Sequence, residues 1–245
     1  MTMAGVLVLP PFLFGPILVK YKNWHSANPE FTEVARTAVR REALKYFDEC
    51  HPQLRVLGFE LVAYLNHHSA ANGIQSVVMH MYNRASAERV TSVVIISNLR
   101  YRAHTQFIQK YSDGTSINTN NSRVGDVFKL TPARKVFRFP SVENLAEMYR
   151  LHRALIRREE APLAKEAVLP DPGQEVDSFR RAFISAFEEQ AGLGYYTLDP
   201  SGQRYYHTWK GACFHTWKLA WPVNRIGQTW GRLISQPLMR GLGVV

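Results

Sequence analysis

Nine histidines and two cysteines are the residues of this chain best suited to metal binding, acid–base work or nucleophilic attack. His67, His68, His80 and His104 fall around a run of predicted strands, and three ligands converging on one ion would make a metal site. The sequence fixes no such convergence. His67-His68 stands beside Ser69 and before Gly73 and reads as a solvated turn, while His80 and His152 lie on mostly apolar faces and read as hydrogen-bonded core residues. Cys50-His51 has the composition of a nucleophile and its base, but adjacent side chains rarely reach the arrangement that activation requires. Cys50 and Cys213 are also too few for a disulfide framework or an all-cysteine zinc site. Asp113 precedes Gly114 and suits a turn better than general acid work. Asn118, Asn120, Asn121 and Ser122 are suited to binding a carbohydrate or an anion, although turn and strand-end hydrogen bonding is their ordinary use. The chain contains no Walker phosphate loop, Rossmann glycine fingerprint, paired-histidine zinc helix, calcium loop or nucleophile elbow. The expectation is no catalytic residue, no cofactor and no metal.

The two ends of the chain are more distinctive. Met3–Val19 carries no charge and is followed by Lys20 and Lys22. Pro10, Pro11 and Pro16 argue against a helix there, and the run lacks the flanks of a secretory signal. It reads as an apolar arm, with Leu7, Leu9, Phe12, Phe14, Ile17 and Leu18 available to the chain's own core, to a partner or membrane edge, or to an unusual span. At the other end, four of five tryptophans fall within the last thirty-seven residues. Trp209, Cys213, Trp217 and Trp221 recur every four residues; beyond Pro222 a second amphipathic pattern carries Ile226, Trp230, Leu233 and Ile234. Lys210, Lys218, Arg225, Arg232 and Arg240 are interleaved with them. Indole with cations is the composition of a bilayer–water interface, and two Trp-rich helices packed on a sheet is the plain alternative.

These residues need elements to hold them. The net charge of +10 sits mainly in residues 61–135, at +6, and 193–245, at +5, so two stretches can face an anionic surface. Asn28-Pro29 starts a predicted amphipathic helix that His51-Pro52 ends near Cys50. Five predicted strands follow, over 56–65, 74–82, 90–97, 103–111 and 115–119, with Asp113-Gly114 turning the last hairpin. Val93, Val94, Ile95 and Ile96 are apolar on both parities, which predicts a strand covered on both faces. Ser141 caps a helix through Leu155, a second helix runs from Glu175 to Gln190, and Asp199-Pro200-Ser201-Gly202 turns a hairpin. The fold class is α+β: an antiparallel sheet of about five strands flanked by amphipathic helices, a C-terminal hairpin and a Trp-rich helical tail. The expected organisation is an arm over 1–24, a core domain over 25–160, a linker over 161–174 and a helix–hairpin–tail unit over 175–245.

The run Phe107-x-x-x-Tyr111-x-Asp113-Gly114-Thr115-x-x-x-Thr119-Asn120-Asn121-Ser122, with Phe139-Pro140 and a helix ending near His152, resembles a pattern in uncharacterised bacterial membrane-associated α+β proteins. Thr208-x-Lys210-Gly211-Ala212 and Trp221-Pro222 are similar to their C-terminal ends. The resemblance covers residues 50–230 and implies a membrane-associated bacterial protein, with no activity attached.

Three functions compete. The first is a non-catalytic, membrane-extrinsic accessory subunit that docks on a larger membrane complex, such as a photosynthetic or respiratory one. Its contact residues would be the arm together with Trp209, Trp217, Lys218, Trp221, Arg225, Trp230 and Arg232. Its partners would be integral membrane subunits or anionic lipid, on the cytoplasmic side that Lys20 and Lys22 favour. The second is a small-ligand-binding or enzymatic α+β domain, which calls for a pocket lined by His80, His104 and Tyr111. The third is nucleic-acid binding, which a steep salt dependence of DNA affinity would support; residues 161–174 are too long for a helix-turn-helix turn.

Overall fold

The strands between residues 60 and 120 follow one another closely enough for each to pair with the next, and the computed structural model shows the resulting meander. It describes residues 3–69, 73–97, 100–160, 165–220 and 223–243, without the side chains of 3–11, 100, 160, 224, 228 and 232. Helix α1 (Met3–Lys22) leads through β1 (Trp24–Ser26) and β2 (Thr32–Val34) to α2 (Arg41–Val56). The meander is β3 (Glu60–Ser69), β4 (Ile74–Asn83), β5 (Glu88–Ser97), β6 (Arg100–Lys110) and β7 (Ser116–Asn120). Strand β8 (Arg134–Arg138) then lies parallel to β7, which gives seven strands in the order β2-β3-β4-β5-β6-β7-β8. Helices α3 (Leu145–Glu160) and α4 (Glu175–Gly192) follow, then β9 (Tyr196–Leu198), β10 (Arg204–His207), α5 (Trp209–Leu219) and α6 (Val223–Gly241). A separate sheet has the order β1-β10-β9.

The class is α+β, as the sequence pattern indicates. The expected five strands are seven, because β2 and β8 extend the edges, and the C-terminal hairpin gains β1 as a third strand. The helix expected from Asn28 begins only at Arg41, since Thr32–Val34 pairs with Tyr64–Asn66. Pro52 does not end α2, which continues to Val56. The proline is on the exposed side, where water can reach the carbonyl it leaves unpaired, while Ala43, Phe47, Cys50 and Leu54 hold one buried stripe across it. Asn144, not Ser141, starts α3, its side-chain Oδ1 accepting from the Glu147 amide at 3.0 Å. Asp113 and Gly114 turn as expected. Gly114 sits at φ +84°, and Asp113 Oδ1 accepts from the Thr115 amide at 2.9 Å.

The main core lies between one sheet face and α2 and α3. Even-numbered β5 residues Val90, Val94 and Ile96 meet Phe47, Leu54, Met148 and Leu151 there. Several polar groups on this face are paired: Thr105 Oγ1 meets Ser92 Oγ at 2.8 Å and Tyr46 Oη at 2.9 Å. The fully enclosed Glu88 carboxylate accepts from Tyr149 Oη at 2.6 Å and Arg153 Nη1 at 3.1 Å. The opposite face has less cover. Val176 and Phe179 of α4 pack on Leu65, Val78 and Val93, and His80, beneath Phe179, bonds Thr91 Oγ1 at 3.0 Å.

Candidate functional site

The terminal helices pack on one another, α5 touching both α1 and α6. The N-terminal arm is therefore a helix, contrary to the reading of its prolines, and the packing shows how one of them is tolerated. Pro16 has no N–H for the Phe12 carbonyl one turn earlier; Trp217 supplies the donor instead, its indole Nε1 reaching that oxygen at 3.1 Å. Gly15 lets the two helices approach, since a Cβ there would stand 2.3 Å from Thr216 Cγ2. At the C-terminal end of α1, Trp209 meets Tyr21 edge-on at 6.2 Å and the Lys20 ammonium at 5.3 Å.

Of the expected contact residues, Phe12 is half-buried, while Phe14, Ile17, Leu18, Trp209, Trp217 and Trp230 are exposed. Lys218 and Arg225 are exposed too. The side chains of Leu7, Leu9 and Arg232, and Trp221 as a whole, lie outside the described residues. Helix α6 is the most informative. Ser235 and Met239 are buried, and Met239 joins the main core with Leu238 and Leu242. Val223, Ile226, Trp230, Leu233 and Ile234 are all exposed, Ile226 and Trp230 at 63%. At about 100° per residue, these five form one stripe roughly a third of a turn or more away from the face that carries Met239. The apolar stripe of this helix is thus not the surface by which it packs. Among the described residues, no helix is long and apolar enough to cross a membrane.

A second feature lies on the sparsely covered sheet face. A cleft of about 820 Å³ opens beside α4, floored by Ile74, Val78, Val93 and Ile95 and walled by Phe31 and Phe183. Its rim is β1 with the β9–β10 turn, and His25, His67, His68 and His104 line it. His67-His68 lies within strand β3 and not in a solvated turn. The pocket expected around His80, His104 and Tyr111 does not form as such. Only His104 reaches the cleft; Tyr111 borders a separate hollow of about 60 Å³.

Burial sets the histidine chemistry. It pushes His25 down to about 4, helped by the charges of His215 and His67, and it also lowers His104. Behind His25 stand His207 and His215, with ring centroids 6.0 Å apart for His25–His207 and 4.9 Å for His207–His215. His207 is fully enclosed, neither ring nitrogen has a hydrogen-bond partner, and its pKa falls to about 3 through burial and then through His215 and His25. Among the described residues, no group of three or more His, Cys, Asp or Glu is arranged to hold a metal ion. Cys50 is buried beside Thr105 with its thiol pushed up by desolvation, the opposite of an activated nucleophile. The asparagine cluster works structurally: Asn121 accepts from the Thr105 amide at 2.9 Å and donates to the Val142 carbonyl at 3.2 Å.

The chain matches no family model, no curated protein and no solved structure.

Proposed function

We propose that this protein is a non-catalytic, membrane-extrinsic accessory subunit, held at an anionic bilayer surface by α1, α5 and α6 and stabilising a larger membrane complex there. The observation that carries the reading is the exposed Ile226–Trp230–Leu233–Ile234 stripe on a helix whose own packing uses a different face. An amphipathic helix of this kind lies in the interface plane with its apolar side in the acyl boundary. Exposed apolar side chains on α1 (Leu13, Phe14, Leu18) and α5 (Phe214, Trp217) extend the same chemistry. Lys22, Lys218, Arg225 and Arg240 are exposed on these helices and suit phosphate headgroups, each contributing about 1 kcal/mol near an anionic surface. Residues 193–245 carry one acid against six bases, so repulsion from such a surface is small. Integral subunits of a bioenergetic complex are the proposed neighbours, and the cytoplasmic side is the proposed location.

The test is co-sedimentation of the full chain with vesicles. Binding to phosphatidylcholine containing phosphatidylglycerol is expected, with weaker binding to phosphatidylcholine alone. Ile226→Asp with Trp230→Glu should abolish it, and raised salt should weaken it. Equal recovery of the parent and the double variant with anionic vesicles overturns the docking surface.

A further inference from the structure

The apolar second parity of β5 is only partly covered by the chain itself. Val93 and Ile95 floor the 820 Å³ cleft, a volume within the range of ligand sites, about 300–1,000 Å³. We propose that this cleft binds a single-chain amphiphile with an anionic headgroup, its apolar chain along the Ile74–Val93–Ile95 floor and its head at Arg204.

Arg204 is the reason for an anion. Its guanidinium carbon lies over the Trp24 ring, 4.4 Å from the centroid, and among the described residues its side-chain N–H donors make no hydrogen bond or ion pair, so they are available to an oxyanion. The neighbouring Asp199 carboxylate holds the turn, accepting from the Gln203 and Arg204 amides and from Ser201 Oγ, and it attracts Arg204 only through space. The other lining polar groups include the Glu30 carboxylate and the pair His67-His68, which offers a ligand one acceptor and one donor. Arg40 can only donate, so Gln75 Oε1 accepts from it at 3.2 Å and Gln75 Nε2 donates to Asn66 Oδ1 at 2.8 Å. Asn66 Nδ2 then donates to His68 Nε2 at 3.4 Å, which leaves the His68 proton on Nδ1 as a donor. His67 Nδ1 donates to the Glu30 carbonyl at 2.9 Å, so its Nε2 remains an acceptor.

The rim says where such a ligand would come from. Helix α1 is separated from β1 only by Asn23, and β10 from α5 only by Thr208, so both strands bordering the cleft continue into terminal helices. The source of the ligand rests on the membrane reading above; the binding itself does not.

The test is calorimetric titration of the full chain in lipid-free buffer with oleate, lysophosphatidylglycerol and oleyl alcohol, each below its aggregation threshold. Saturable one-to-one binding of at least one of the two anions is expected, tighter than that of the neutral alcohol, and the tighter anion names the source. Ile95→Asp should abolish binding, and Ser76→Trp, which fills the cleft without charging its floor, should abolish it too. Arg204→Gln should weaken it about tenfold. Far-UV circular dichroism checks that each variant folds. The Ile226→Asp, Trp230→Glu chain should bind the anion like the parent, so failed vesicle docking is read separately from a failed cleft. No saturable binding of either anion, alcohol binding as tight as the tighter anion, or folded cleft variants that bind like the parent overturns the proposal.

Discussion

Strand β5 presents two apolar faces to two different environments. Towards α2 and α3, Val90 and Val94 are fully enclosed among Phe47, Leu54 and Met148, and every described polar neighbour of Thr105 is paired. Towards α4, Val93 is half-buried and Ile95 floors an open cleft. The strand chemistry is nearly the same on both sides, so the difference comes from what lies above it. Two amphipathic helices and the end of α6 seal one face, whereas one helix and a short three-stranded sheet leave the other part-open. An apolar surface left accessible by the chain's own fold is where a ligand gains most from burial.

Truncating each face is the sharpest way to break the comparison. Phe47→Ala should cost about 3–5 kcal/mol by chemical denaturation, because a rigid core leaves a cavity. Val93→Ala should cost about 1 kcal/mol or less, because its side chain is only half-buried. Equal costs would mean that the open face is as tightly packed as the sealed one.

Acid tests both faces at once. His80 beneath α4 and His152 beside Thr119 are fully buried and held at about 3 by desolvation. Their folded values lie below the ordinary value near 6.5, so the unfolded chain binds more protons between about pH 6.5 and 3. Stability should be full above that window and fall as pH drops through it, seen as a declining Tm. His152→Gln should flatten the slope; an unchanged slope would mean that this imidazole is solvated.

A smaller effect belongs to the sealed face alone. Glu88→Gln keeps the shape but removes the charge that holds Arg153 and Tyr149, and should cost about 2 kcal/mol. A loss below about 0.5 kcal/mol would place this group with exposed ion pairs such as Arg123–Glu143, at 3.4 Å.

Much of this was legible locally. The strands expected over 74–82, 90–97 and 115–119, the Asp113-Gly114 turn and the helix expected from Glu175 to Gln190 all form, within a residue or two of those bounds, from alternation, turn chemistry and helical spacing. The misreadings share a cause. Pro52 and Pro16 are breakers by local rule, yet a buried stripe carries α2 past one and the Trp217 indole satisfies the carbonyl freed by the other. His67-His68 looked like a turn because polar residues follow it, and the pairing of β3 with β4 through Ser69–Ile74 decided otherwise.

The sequence by itself determined the α+β class, the indole-and-cation composition of the tail and the two-sided apolarity of β5, because these depend on residue type and on spacings of two or about four residues. Only the tertiary structure decided which face of β5 is sealed, that β1 and β10 meet to rim a cleft, and that α6 packs through Met239 while its indole stripe stays outside. Those outcomes depend on contacts between segments up to about two hundred residues apart, such as Trp217 with Phe12, and local spacing carries no record of them.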